Sequence, residues 1–162
     1  MVSEGENHRV ASLGNLLLCL YWGEPPLEAL EARIPWVEET IAGGSPLGLF
    51  VLVTKDAAGT LPGRSFRQES KRQAAKYRGS ILFSASVIEG DSVTTVLVRS
   101  FLRGLATVVA RGIPVRFFDS AGPAAAWAAR ELSRHDGPST DVILAAVKRL
   151  RAEHGSTPDL DA

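Results

Sequence analysis

Apolar residues along the chain follow two kinds of pattern, which are short uninterrupted runs and stripes with helical spacing. The uninterrupted runs begin near Leu16, Leu47, Ile81 and Val115. Each run is too short for a typical helix and rich in β-forming residues, which is typical of strands covered on both faces. A shorter run from about Arg9 to Leu13 precedes them, and Gly14-Asn15 then predicts a tight hairpin turn with glycine at positive φ.

Helical stripes alternate with these runs. The first follows Pro25-Pro26 and consists of Leu27, Leu30, Ile34, Val37 and Ile41. Pro35 is expected to kink this helix because proline removes a backbone donor. In a later helix, capped by Asp91 or Ser92, the residues predicted to face inward are Val93, Val96, Leu97, Phe101, Leu105, Val108 and Val109. Two more helices follow the last strand, and they begin near Pro123 and Thr140.

This order of elements predicts an α/β fold with a single, mainly parallel sheet of about five strands. An N-terminal hairpin adds an antiparallel strand, helices flank the sheet, and an extra helix lies at the C-terminal end. The chain of 162 residues, 45% of them hydrophobic, fits one domain. We expect that domain at residues 8–153, with flexible termini at 1–7 and 155–162.

Composition limits the classes of partner. The 18 basic and 18 acidic residues leave no net charge, so a nucleic-acid partner is not expected. No apolar run reaches the roughly 18 residues of a membrane span. A single cysteine and an acidic, polar N-terminus that is unlike a signal peptide favour a cytoplasmic location.

Catalytic signatures are missing from the sequence. It has no nucleophile elbow, no phosphate-binding glycine loop with lysine, and no paired-cysteine or histidine metal motif. His8, His135 and His154 fall near predicted element ends and are predicted to be solvent-exposed. Cys19 lies mid-strand between two leucines and is predicted to be buried. We therefore expect no enzyme activity, no metal and no cofactor.

The segment 63–79 carries six cationic side chains against one glutamate, and it predicts a weakly anchored helix with its cationic side outward. One interpretation is a surface for an anion or an acidic partner. The other is a solvated face on which Glu69 pairs with Arg72. The candidate residues of the first interpretation are Arg64, Arg67, Lys71, Arg72 and Lys76, with Trp36 as an aromatic anchor for a partner.

A second candidate site is a polar patch at the start of the helix after "ILFSASVIEG". Its residues are Ser92, Thr94, Thr95, Arg99 and Arg103. Helix N-termini bind anions, and open α/β sheets bind ligands outside the carboxyl ends of their strands. Asp91 argues against an anion site because it places a negative charge at the same position.

Charge is unevenly distributed along the chain. Residues 1–45 contain seven acidic and two basic side chains, whereas residues 64–116 contain ten basic and three acidic ones. Because such segments attract each other, we hypothesise a homodimer in which the first helix of one subunit meets the basic helix of another.

The hairpin, the kinked helix after "LYWGEPP" and the closing step "RFFDSAGPAAAWAARE" resemble STAS-like domains, typified by bacterial anti-sigma-factor antagonists and their lipid-binding relatives. The resemblance spans about residues 8 to 134 and depends mainly on element order. Its closing pattern is matched by Phe117, Phe118, Ala125, Ala126 and Trp127. The loop "TKDAAGTLPGRSF" lacks the phosphorylatable serine of the antagonists, so their phosphorylation switch is not implied. The resemblance implies a non-enzymatic interaction domain.

Three functional hypotheses follow. The leading one is a non-catalytic cytoplasmic domain of the regulatory or signalling type that binds another protein. The alternative is a small-ligand or lipid-binding module with an apolar cavity beneath the first helix. The third is anion or nucleic-acid binding through the basic helix 64–78, which neutral net charge disfavours and which predicts steep salt dependence.

Overall fold

A six-stranded sheet lies at the centre of the computed structural model, which describes residues 1–57, 59–109 and 111–154, without the side chains of Leu105, Val108 and Val109. Its strands are β1 (Ser3–Gly5), β2 (His8–Leu13), β3 (Leu16–Tyr21), β4 (Leu47–Val53), β5 (Ile81–Ile88) and β6 (Val115–Phe118). Their order in the sheet is their order in the chain. Neighbours from β1 to β3 are antiparallel, and neighbours from β3 to β6 are parallel.

The predicted sheet is confirmed in its main features and differs in its strand count. The four apolar runs form adjacent strands, and Gly14 has the predicted positive φ, at 58°. The sixth strand, β1, lies in the segment 1–7 that we expected to be a flexible terminus. This strand pairs with β2 through its backbone. Because its side chains are polar or absent, the segment has no apolar pattern that would predict a strand. The expected flexible segment 155–162 lies outside the described residues.

Six helices and a 3-10 turn at Ser133–His135 surround the sheet. The helices are α1 (Leu27–Ala32), α2 (Ile34–Ala42), α3 (Arg64–Tyr77), α4 (Val93–Val109), α5 (Ala121–Leu132) and α6 (Thr140–His154). The single kinked helix predicted around Pro35 is two helices, α1 and α2, which meet at Arg33. This break agrees with the expected effect of proline, since its ring cannot sit in an uninterrupted helix.

Two apolar layers lie on opposite faces of the sheet. On one face, α5 and α6 pack against alternate residues of β2 to β5, and fully buried members include Leu16, Phe83, Leu132 and Ile143. On the other face, α1, α2 and α3 cover β3 and β4, and α4 lies over β5 and β6. We call this second side the α1–α4 face.

Helix α4 has an orientation that the sequence analysis did not predict. Val93, Val96, Leu97 and Phe101 were expected to face inward, yet they are 78%, 50%, 65% and 41% exposed. The side chains of Leu105, Val108 and Val109 lie outside the described residues. Thr95 and Val98 are the buried side chains of the first turns. Arg99 lies on the same side of the helix, and its side chain donates hydrogen bonds to the Ile88 and Gly90 carbonyls at the end of β5.

Candidate ligand-binding site

Strand β5, which lies next to the edge strand β6, presents two different faces. Phe83, Ala85 and Val87 point into the core beneath α5 and are fully buried. Ser84 and Ser86 alternate with them, so they point to the α1–α4 face. Neither serine hydroxyl hydrogen-bonds to another residue in the described part of the chain. These small side chains leave space where a buried parallel strand usually carries larger apolar residues.

That space is a cavity of about 230 Å³ between the sheet and the helices α1, α3 and α4. Most of its wall is apolar, and wall residues include Leu30, Leu49, Val51, Phe66, Ala74 and Leu102. Helix α4 contributes the small Ala106 as well as Leu102, and it contacts α3 next to it. Phe66, Ser84, Ser86 and Leu102 on this wall are half-buried, so the cavity is open to solvent on one side. Apolar wall that meets water has a free-energy cost unless something covers it.

Arg33 brings a positive charge to the cavity wall from the junction of α1 and α2. The residue is only 9% exposed, and its Nε donates to Gln73 Oε1 at 2.8 Å. Gln73 is held in turn, because its Nε2 donates to the Leu30 carbonyl at 2.9 Å and to Glu69 Oε1 at 2.7 Å. The guanidinium is therefore fixed in orientation by a hydrogen-bond network.

No carboxylate forms an ion pair with Arg33 among the described residues. The nearest acid in its network, Glu69, has a pKa of about 2, chiefly because Arg72 hydrogen-bonds to it. The half-buried Arg67 also lines the cavity without an ion pair in the described chain, and no acidic residue belongs to the cavity wall. The cavity thus combines apolar walls with an excess of positive charge.

Tyr21 and Cys19 lie beside Arg33 and are both neutral. Burial raises the pKa of the Cys19 thiol, and the Arg33 charge opposes this only in part. Burial also raises the pKa of the Tyr21 phenol, and the neighbouring Cys19 adds to that rise. The Tyr21 ring lines the cavity and meets Phe66 edge-on, with 6.1 Å between ring centroids. Cys19 is buried, as the sequence predicts, and a buried thiol with a raised pKa is a poor nucleophile.

The residues of the predicted basic surface do not act as one group. Arg72 donates two hydrogen bonds to Glu69, at 2.7 and 2.6 Å, which is the pairing expected of a solvated face. Lys76 pairs with Glu38 of α2 at 2.7 Å, so acidic and basic helices meet within one chain. Arg64 and Lys71 are exposed, whereas Arg67 turns to the cavity. Trp36 is half-buried and packs against the apolar clusters beneath α1 and α2.

The predicted polar patch is likewise divided. Ser92 Oγ accepts a hydrogen bond from the Thr95 backbone N–H at 3.1 Å and so caps α4. The Arg99 guanidinium is occupied by the strand-end carbonyls and by Asp119 at 3.1 Å. Thr94 and Arg103 are exposed. The patch therefore joins α4 to the ends of β5 and β6.

The prediction that all three histidines are exposed is wrong for His8. This residue is fully buried in β2 beneath Gly5, where its Nε2 lies 2.8 Å from Ser3 Oγ. The unexpected strand β1 covers it, which explains the error. His135 and His154 are exposed, and His154 stacks on Trp22. Among the described residues, no three His, Cys, Asp or Glu side chains are grouped so that they could hold a metal ion.

Sequence reasoning missed the residues that define the cavity, although two signals were present. Arg33 lies three residues after Leu30 and four before Val37, which places a charge on the apolar side of the predicted helix. Ser84 and Ser86 alternate with apolar residues in a strand expected to be covered on both faces. A polar residue at a predicted core position is an error in packing or a functional feature.

Comparison with known proteins gives no match to any family model, curated protein sequence or solved structure. In the parts of the chain that the structure describes, every helix is too short or too polar to cross a membrane. The assignment of function therefore depends on the geometry of the cavity.

Proposed function

We propose that this chain is a non-catalytic α/β binding module that holds a small apolar molecule in the cavity beneath α1, α3 and α4. The observation that carries this proposal is the half-open apolar cavity of about 230 Å³, in which the small side chains Ser84 and Ser86 of β5 form part of the floor. Native cores are packed with few voids larger than a water molecule. A largely pre-formed apolar cavity with a few polar groups is the usual form of a small-molecule site.

A STAS-like fold and a cytoplasmic location belong to the same proposal. The fold assignment is supported by the leading hairpin, by strands that follow in chain order, and by helices on both faces. The location is supported by the free, buried cysteine, which suits a reducing compartment.

The test uses a variant that fills the cavity. Ser86→Leu places an apolar side chain in the open space, so it is expected to raise the free energy of unfolding by about 0.5–2 kcal/mol and to abolish ligand binding. Ser65→Leu is the matched control because Ser65 is exposed on α3. Binding of 1-octanol is measured by calorimetry, and native mass spectrometry shows any molecule retained during purification.

Two results would contradict the proposal. One is wild-type protein that retains no small molecule and binds neither 1-octanol nor any other compound with an eight-carbon apolar chain. The other is Ser86→Leu protein that binds 1-octanol as tightly as the Ser65→Leu control, since the ligand would then lie elsewhere.

A protein-interaction function is a second candidate, and the outer side of α4 favours it. Val93, Val96, Leu97 and Phe101 form an exposed apolar stripe along this helix, and apolar stripes of this kind often mark contact surfaces. For the α4 stripe, light scattering is expected to show concentration-dependent association that Leu97→Glu weakens. The charge-driven homodimer uses different surfaces, the first helix of one subunit and the basic helix of another, and a monomer at low salt and high concentration would remove it.

A further inference from the structure

We propose that the ligand of this cavity ends in an anionic oxygen group, a carboxylate or a phosphate monoester, that binds the Arg33 guanidinium while the apolar chain lies over Ser84 and Ser86. This inference depends on the proposed function, because it requires an occupied cavity. It adds the chemical class of the ligand and the residue that recognises it.

The burial of Arg33 without a counter-ion is the first argument. Its side chain is nine-tenths buried, and charged groups in protein interiors are normally paired because desolvation of a charge is costly. The acid of its own network, Glu69, lies within range of the Arg33 charge, but its carboxylate accepts its hydrogen bonds from Gln73 and Arg72 and forms no ion pair with Arg33. A bound anion would supply the missing partner.

The orientation of the guanidinium is the second argument. Gln73 holds Nε at 2.8 Å, and the neutral Cys19 thiol beside the guanidinium is at most a weak acceptor. Most of the donor capacity of the terminal nitrogens is therefore unused, and the planar fork of arginine suits the two oxygens of a carboxylate or phosphate. Arg67 adds a second positive charge to the same wall.

The size of the cavity sets the length of the apolar chain. A cavity of about 150 Å³ holds benzene, so about 230 Å³ holds roughly nine non-hydrogen atoms on the same scale. 1-Octanol matches this size, octanoate has one more non-hydrogen atom, and octyl phosphate is larger by its phosphate group, which would lie at the open side; all three share one apolar chain. They differ only in the group that would meet Arg33.

The experiment is calorimetric titration of the full chain with these three compounds at neutral pH. At least one of the two anions is expected to bind about tenfold tighter than 1-octanol or more, since hydrogen bonds to charged groups are the stronger ones. Tighter binding of octanoate would indicate a free fatty acid as the natural ligand, and tighter binding of octyl phosphate would indicate a phosphorylated one. Arg33→Met is expected to remove the preference for the anion while 1-octanol still binds, and Arg33→Lys to keep part of it.

Arg149→Gln is the matched control, because Arg149 is exposed on α6 at the opposite face of the sheet and its loss changes the net charge equally. Its affinity for the anions is expected to equal that of the wild type. An equal loss in Arg149→Gln and Arg33→Met would overturn the inference, because the effect would come from net charge.

The comparison of compounds in the wild-type protein keeps the test decisive even if Arg33→Met does not fold. If 1-octanol binds as tightly as both anions, the inference fails and the proposed function stands. If none of the three compounds binds, the proposed function fails and the inference fails with it.

Discussion

His8 makes a specific prediction about the pH dependence of stability. Burial lowers the pKa of His8 below its ordinary value of 6.5, and the nearby Glu28 opposes this shift. Nε2 lies 2.8 Å from the Ser3 hydroxyl, and Nδ1 has no hydrogen-bond partner among the described residues. The folded protein therefore keeps the ring neutral at pH values where the unfolded chain already binds a proton.

The sign and the size of the effect follow from proton linkage. As pH falls below 6.5, the unfolded state gains a proton that the folded state lacks, so the free energy of unfolding decreases. One proton limits the slope to about 1.4 kcal/mol per pH unit, which amounts to at most about 2 kcal/mol by about pH 5. The pKa values of Glu38 and Glu69 are lowered from 4.5. Their contribution to the free energy of unfolding is therefore lost below the pH range of this experiment.

The assay is urea unfolding followed by tryptophan fluorescence at intervals from neutral pH to about pH 5. His8→Gln is expected to flatten the dependence, whereas His135→Gln, which changes an exposed histidine, is expected to leave it unchanged. A wild-type protein with constant stability across this range would refute the reasoning, and so would an equal slope in His8→Gln.

Two further predictions test the packing with paired variants and thermal or urea unfolding. Gly48→Ala would place a Cβ 2.5 Å from Phe83 Cζ and is expected to lower the free energy of unfolding by about 1–3 kcal/mol. In Gly104→Ala on α4 the new Cβ meets no atom within 4 Å, so the free energy of unfolding is expected to rise by about 0.5–1 kcal/mol. Equal effects of the two variants would contradict the described contact of Gly48 with Phe83. Val98 is 6% exposed and Leu97 is 65% exposed. Val98→Ala is therefore expected to lower the free energy of unfolding by about 1.5 kcal/mol, and Leu97→Ala by less than about 0.5 kcal/mol. The reverse order would mean that α4 is oriented as the sequence pattern predicted.

The sheet and most helices could be predicted because local pattern and burial agree there. The run from Leu47 to Val53 carries no polar side chain because one face of β4 is buried and the other is half-buried beneath the helices of the α1–α4 face. The turn at Gly14 and the helix break near Pro35 depend on backbone properties that belong to single residues. Strand β1 could not be predicted in this way, since it joins the sheet by backbone pairing and by polar contacts such as Ser3 with His8, which leave no apolar pattern.

The inner side of α4 could not be read from its sequence because apolar residues lie on more than one side of it. The spacing of apolar residues allows an inward stripe that includes Val96 and Leu97, and equally one that includes Val98 and Leu102. Periodicity alone therefore does not choose between the two stripes. In the observed orientation Arg99 hydrogen-bonds to the Ile88 and Gly90 carbonyls at the end of β5. Such a tertiary contact of a polar residue favours one orientation and is not visible in the apolar pattern of the helix.

The same orientation explains why the cavity remains open. With Leu102 and the small Ala106 turned to the sheet, α4 does not place its larger Leu97 and Phe101 side chains over Ser84 and Ser86. Turning the helix to bury Leu97 and Phe101 would fill the space but would pull Arg99 from the ends of β5 and β6. The apolar residues that could have closed the cavity are exposed instead, and Arg33 keeps a positive charge in the space that they leave.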